Sequence, residues 1–318
     1  MTRNILVTGS IAYDVLLHCE ASFARGLAAQ DVQKLSLAFL AQHYARHHGG
    51  TGANIAWNLR LLGADALLVA TAGLDGGPYA ELLRERGVDT AFLEQHSDAV
   101  TATAIIATDD AERQITFFHP GADALGTWPQ EALQQQEVAY AIVSPRDVHM
   151  MQTAMAWCKE NGIPYAFDPG QQLLAFGDDD LRRAIRNCSA LIVNDYEWGL
   201  LATRLKYGED DILKTGAQLI ITRGSDGASL YVAGQQLDIP ACTPERVVNP
   251  TGAGDAFRAG WLAGMAAGWQ PADCMRLGAA MGSYAVEAEG TLIDTLDTQH
   301  VWHRAEEAYG APLPVWET

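Results

Sequence analysis

The segment NPTGAGDAF, residues 249–257, sets two glycines around an alanine, then a single carboxylate, Asp255, then apolar residues. The first four N–H groups of a helix have no partner inside it, and with the helix dipole they form a seat for negative charge. Gly252 and Gly254 carry no Cβ, so the backbone can approach a ligand closely. T-G-A-G ahead of a helix therefore reads as an anion hole. An acid beside such a hole would repel a phosphate that was merely held. It makes sense as a base that takes a proton from an attacking hydroxyl, while the hole holds charge developing on a transferred phosphoryl group. A plain helix start, with glycine for packing and Asp255 for capping, accounts for the nonapeptide alone equally well.

Rival chemistries lack their residues. G-x-x-x-x-G-K-[ST] is absent, and G-x-G-x-x-G fails in its last place, at Phe257 when read from Gly252 and at Ile55 when read from Gly50. HYARHH, residues 43–48, contains H-x-x-x-H, which would put two imidazoles on one face of a helix. It has neither a third ligand nor a glutamate between them, so a surface or lid helix is expected there and no metal site. There is no G-x-S-x-G elbow, and no cysteine stands in a nucleophile motif.

The elements that must position Asp255 are strands alternating with helices. Residues 4–12, 66–73, 140–145, 164–170 and 190–195 read as buried strands. Helical patterns follow at 51–63, 78–87, 148–161, 181–187 and 197–205. Residues 101–121 interrupt this with two strands around a turn at Asp109 and Asp110, and residues 12–48 show no clear period. After a strand and hairpin at 218–241, two helices, about 252–268 and 272–289, are expected to close the chain. Repeated βα units imply a mainly parallel sheet covered on both faces, with ligands at the carboxyl ends of its strands. GSIAYD, NDYE, TRGSDG and NPTGAGD all fall at such ends.

At 318 residues the chain can bury a large core, and one continuous α/β domain over 1–318 is expected. The formal net charge of −18, with no dense run of Lys or Arg, argues against nucleic acid and anionic membranes as partners. Five scattered cysteines without C-x-x-C read as reduced, buried thiols in a cytoplasmic protein. The N-terminus does not read as a signal peptide, and the longest nearly uncharged stretch, 259–269, is far short of a membrane span.

Two segments together, GGTGANIAWNLRLLG at 49–63 and NPTGAGDAFRAGW at 249–261, resemble the paired signatures of the ribokinase-like, or PfkB, carbohydrate and nucleoside kinases. GSIAYD, NDYE and TRGSDG fall in that family's order. The resemblance implies a three-layer α/β/α fold with a small β lid built from about 12–48 and 98–120. It implies an ATP- and Mg²⁺-dependent phosphotransferase. Asp255 would be the base, and the amides of Gly252, Ala253, Gly254 and Asp255 the anion hole. Asp14 and Asn54 would hold acceptor hydroxyls, with Gly49 and Gly50 allowing close approach. Asn194 and Glu197 match an N-x-x-E element that acts on Mg²⁺ and phosphate, and Thr222, Gly224 and Gly227 would line the ATP site. The family usually opens its second signature with Asp-Thr, where this chain has Asn249-Pro250. Asn249 removes a charge linked to a monovalent-cation site, which puts K⁺ activation in doubt.

ERQITFFHPGA and FDPGQQ are most similar to bacterial adenosine-kinase-like members, so a nucleoside such as adenosine is the expected acceptor. Phe118, Phe117 or Phe23 could stack on a base, and strand alternation lets at most one of Phe117 and Phe118 face the ligand. Arg113 and Arg146 could instead meet a sugar phosphate. Fructose, ribose or a non-catalytic nucleotide sensor on the same fold are the alternatives.

Overall fold

Runs such as NILVT, ALLVATA, ALIVN and QLIIT are rich in branched aliphatic residues, and they form strands covered on both faces. The computed structural model describes residues 4–28, 37–111 and 113–315. In chain order its strands are β1 (Asn4–Thr8), β2 (Ala12–His18), β3 (His43–Gly49), β4 (Ala66–Ala72) and β5 (Leu93–Gln95). Then follow β6 (Ala102–Thr108), β7 (Gln114–His119), β8 (Val138–Val143) and β9 (Tyr165–Phe167). The last four are β10 (Ala190–Asn194), β11 (Gln218–Thr222), β12 (Ala228–Val232) and β13 (Gln235–Ile239).

Nine of them form one sheet in the order β13-β12-β11-β10-β9-β8-β1-β4-β5, parallel from β5 through β11 and antiparallel at β12 and β13. Alternate residues feed two separate cores. Ile5 and Val7 point into one with the helices Thr51–Leu61, Ala253–Ala266 and Pro271–Ala285. Leu6 points into the other with Val148–Glu160, Asp178–Asn187 and Asp195–Leu205. Helices thus lie on both faces of the sheet, as the βα alternation predicts.

The remaining strands form a small sheet, β3-β2-β6-β7, from the two segments expected to build the lid. The 101–121 hairpin is β6 and β7, paired antiparallel. Two expectations need correction. HYARHH is not a helix but most of β3, held in continuous register against β2 from His18↔His43 to Ala12↔Gly49. Pairing with a neighbour overrides its weak local preference. At about 3.3 Å per residue, His43 and His47 stand ~13 Å apart along the strand, which disposes of the imidazole pair. The chain also ends with three helices rather than two, the third being Thr298–Tyr309. Among the described residues, no group of three His, Cys, Asp or Glu side chains could hold a metal ion. Among the described residues, no helix is long and apolar enough to cross a membrane.

Candidate active site

The helix Ala253–Ala266 starts at Gly252, whose backbone is left-handed, φ 90°. That conformation suits glycine, and a Cβ there would also press within 2.8 Å of the Thr291 carbonyl oxygen. No side chain caps this helix. The Ala253 N–H closes a turn onto Pro250 O at 3.3 Å. Among the described residues, the N–H groups of Gly252, Gly254 and Asp255 donate to no protein acceptor. Three amides at one helix mouth are therefore open to an anion.

Asp255 sits in the first turn, half-buried. Asn54, from the facing helix Thr51–Leu61, donates its Nδ2 to Asp255 Oδ2 at 2.8 Å. Asn54 is itself buried, and its Oδ1 lies 3.1 Å from Thr291 Oγ1, which donates to His48 O at 2.6 Å. The Asn54 amide thus fixes the carboxylate rather than standing free in the cleft. Burial pushes the Asp255 carboxyl up to about 6, against the pull of Arg258 and the Asn54 hydrogen bond. Asp14 is likewise raised by burial, partly offset by His47.

The lid carries Asp14 to the same place. Asp14 on β2 is in register with His47 on β3 and with Ala104 on β6, which is in register with Phe118 on β7. Residues directly opposite across strands share a face, so Asp14, His47 and Phe118 line one side of the lid. Phe117 lies on the other side and is 66% exposed, against 46% for Phe118. Gly49 packs directly on the Asp14 carboxylate, and Gly50, with φ 93°, turns the chain from β3 into the helix Thr51–Leu61. Both glycines make room for protein atoms.

At the ends of β10 and β11 a cleft of about 310 Å³ is lined by Asn194, Asp195, Tyr196, Thr222, Arg223, Gly224 and Asp226. Gly224 and Gly227 flank its turn with left-handed φ of 55° and 89°. Asn194 caps the helix Asp195–Leu205, accepting from the Glu197 N–H at 2.8 Å, while Glu197 Oε2 accepts from the Asn194 N–H at 2.8 Å. The N-x-x-E element is thus a reciprocal capping box. Burial and Asp168 raise the Glu197 carboxyl, with Arg258 opposing.

A model of the pfkB family of carbohydrate kinases matches residues 2–299. The chain belongs to that family. This pfkB-family chain is accordingly a phosphotransferase with an alcohol group as acceptor. It is 29% identical to a nucleoside kinase of Methanothermobacter thermautotrophicus over 98% of this chain and 99% of that one. A nucleoside kinase of Burkholderia thailandensis in complex with inosine superposes with a TM-score of 0.86 at 35% identity, covering 97% of this chain and 99% of that one. The complex of that enzyme with ADP-inosine gives 0.85 at 34%, covering 99% and 98%. The architecture of nine-stranded sheet and small lid is the ribokinase fold.

Three sequence candidates prove to be structural in this pfkB-family kinase. Phe23 is buried and packs edge-on against Phe39 at 4.9 Å, so it is not a stacking platform. Arg113 is held by Asp109, 2.8 Å away, and by Ser22 Oγ. Arg146 is fully buried against Asp123 at 2.8 Å and bonds Thr8, Thr71 and Val69 O. Neither arginine is free to meet a sugar phosphate. Sequence reasoning also missed two residues. Arg258, one turn after Asp255, pairs with Asp168 through Nη2–Oδ1 at 2.7 Å and Nε–Oδ2 at 2.6 Å. The signal was a lone arginine in the otherwise apolar helix AGDAFRAGWLAGMA.

Proposed function

We propose that the chain transfers the γ-phosphoryl group of ATP to the 5′-hydroxyl of a nucleoside, adenosine or a close purine relative. The observation that carries the reading is Asp255, a half-buried carboxylate fixed by Asn54 at the mouth of a helix with three open amides. Asp255 takes the proton of the acceptor hydroxyl, the oxygen attacks the γ-phosphorus in line, and the bond to the bridging oxygen breaks to leave ADP. The amides of Gly252, Gly254 and Asp255 receive the charge on the equatorial oxygens. Asp14 holds ribose hydroxyls, and Phe118, on the same lid face, stacks on the base. Closing the lid over the acceptor excludes water, the competing nucleophile.

The cleft at Asn194, Thr222 and Gly224 takes the nucleotide. Magnesium fits, because it keeps waters and phosphate oxygens and needs only one or two carboxylates; Glu197 and Asp195 are carboxylates at this end of β10. Bound there, the ion neutralises phosphate charge. A monovalent cation does not fit. Asn249 Oδ1 accepts from the Thr251 N–H at 2.9 Å, and its Nδ2 donates to Glu289 O at 3.0 Å. The amide already ties the two loops together, and a cation at that carbonyl would face its donor hydrogens.

The nucleoside kinases similar to this chain at 29% and 35% identity support a nucleoside acceptor. The locked states of Arg113 and Arg146 disfavour a sugar phosphate. A coupled ADP-release assay across adenosine, inosine, pyrimidine nucleosides, ribose, fructose and fructose 6-phosphate tests the assignment. Highest kcat/KM on a purine nucleoside is expected. A preference for a free sugar would overturn the acceptor class, and nucleoside binding without ADP release would make the chain a sensor.

A further inference from the structure

Three carboxylates, Asp168, Asp255 and Glu197, act electrostatically on one arginine, Arg258, that lies against the anion loop. Gathering negative charge behind a hole meant for a phosphoryl group works against its purpose, unless a fixed cation stands among them. Among the described residues, Arg258 is the cation that acts on them. Arg258 is buried, and its Nη1 lies where a Cβ on Gly254 would come within 2.9 Å, so the guanidinium packs against the underside of the anion loop. Asp168, at the end of β9 and 1% exposed, grips it with both oxygens. The pair crosses from the helix of the base to the strand ends of the central sheet.

We propose that Arg258, locked by Asp168, is the positioning residue that holds the Gly254–Asp255 turn and supplies the standing positive charge that keeps Asp255 ionised and the hole receptive to phosphate. This rests on Asp255 being the base. Arg258 touches neither acceptor nor nucleotide in the reading above; it acts through the turn. An arginine suits this place because it donates one hydrogen bond to Asp168 Oδ1, holds Oδ2 by charge at 2.6 Å and still presents a third nitrogen to Gly254.

The groups facing Asp255 are known from each packed element. They are Arg258 on its own helix, Asn54 on Thr51–Leu61, Asp168 after β9, Asp14 on β2 and the Tyr79 phenol on the helix Gly77–Glu85. Removing the nearby cation and removing its anionic partner must therefore move Asp255 in opposite directions. A merely structural ion pair would give the same effect from either side.

The test is the pH profile of kcat/KM for the nucleoside at saturating Mg-ATP in R258M, R258K, D168N, the R258M/D168N double variant and D255N. Substrate ionisations are common to all and cancel between variants. R258M is expected to raise the acid limb by about one pH unit and to cut kcat at least ~10-fold with nucleoside KM little changed. D168N should lower the limb, and R258K, which keeps the charge, should hold it close to the wild-type position. The double variant leaves no unpaired buried charge, so it carries the test if R258M does not fold; its limb should rise, by less than in R258M. Limbs that stay put, or that move the same way in R258M and D168N, overturn the proposal. If D255N is inactive while the others keep the wild-type profile, the Arg258 assignment fails alone. Near-normal turnover in D255N would remove the base itself.

Discussion

Asp255→Asn should cut turnover by orders of magnitude and stabilise the protein in one step. The carboxyl is raised from 3.8 to about 6, mainly by burial. Ionised, it therefore costs folding free energy that an amide does not. About two pKa units at ~1.4 kcal/mol each give roughly 3 kcal/mol at pH 8. The sign follows from proton binding. The folded chain holds this proton more tightly than the unfolded chain between pH 3.8 and 6, so stability falls as pH rises through that window and the whole cost is present above it. The amide keeps the contact with Asn54, since its oxygen can accept from Asn54 Nδ2 as the carboxylate does. Arg258 keeps its bidentate partner, Asp168. Urea unfolding of wild type and variant at pH 8 and pH 5 measures the difference. The variant should lead by up to ~3 kcal/mol at pH 8 and by about half that at pH 5, while kcat falls by about 10²–10⁴. A variant no more stable at pH 8 than wild type would refute the burial argument. One that keeps near-normal turnover would refute the base.

Gly252→Ala should cut kcat by about 10²-fold or more, the effect of losing an anion-hole donor, because φ 90° and the Thr291 oxygen at 2.8 Å forbid the new Cβ in place; steady-state kinetics and a melting curve check this. Phe118→Ala should raise the nucleoside KM about tenfold, the worth of one stacking contact, whereas Phe117→Ala, on the opposite lid face, should leave KM unchanged. Equal effects of the two would remove Phe118 from the site. Replacing K⁺ with choline should leave the wild-type rate unchanged, and Asn249→Asp, which removes the donor aimed at Glu289 O, should introduce a K⁺ dependence. Marked K⁺ activation of the wild type would sink the misfit argued for Asn249.

What was legible in the sequence was what local physics constrains. Gly252 and Asp255 stood out because an anion hole with a base demands those residue types side by side, and the βα alternation gave the sheet because each strand and helix announces itself within its own residues. HYARHH was misread because its strand character lies in β2, some 30 residues away, and not in its own sequence. The helix Thr298–Tyr309 hid because it buries only Val301 and Ala305, too few apolar residues to show a period. Asp168 and Arg258 were invisible as a pair because 90 residues separate them, and no spacing rule relates a strand end to the second turn of a distant helix. Asn194 and Glu197 teach the opposite lesson. The N-x-x-E resemblance points to a nucleotide site and the structure shows a capping box, yet the box itself holds a half-buried carboxylate at the end of β10, where a phosphate-bound cation would need it. A motif can therefore satisfy the helix start and serve the ligand through the same two hydrogen bonds, so finding the structural role does not count against the functional one.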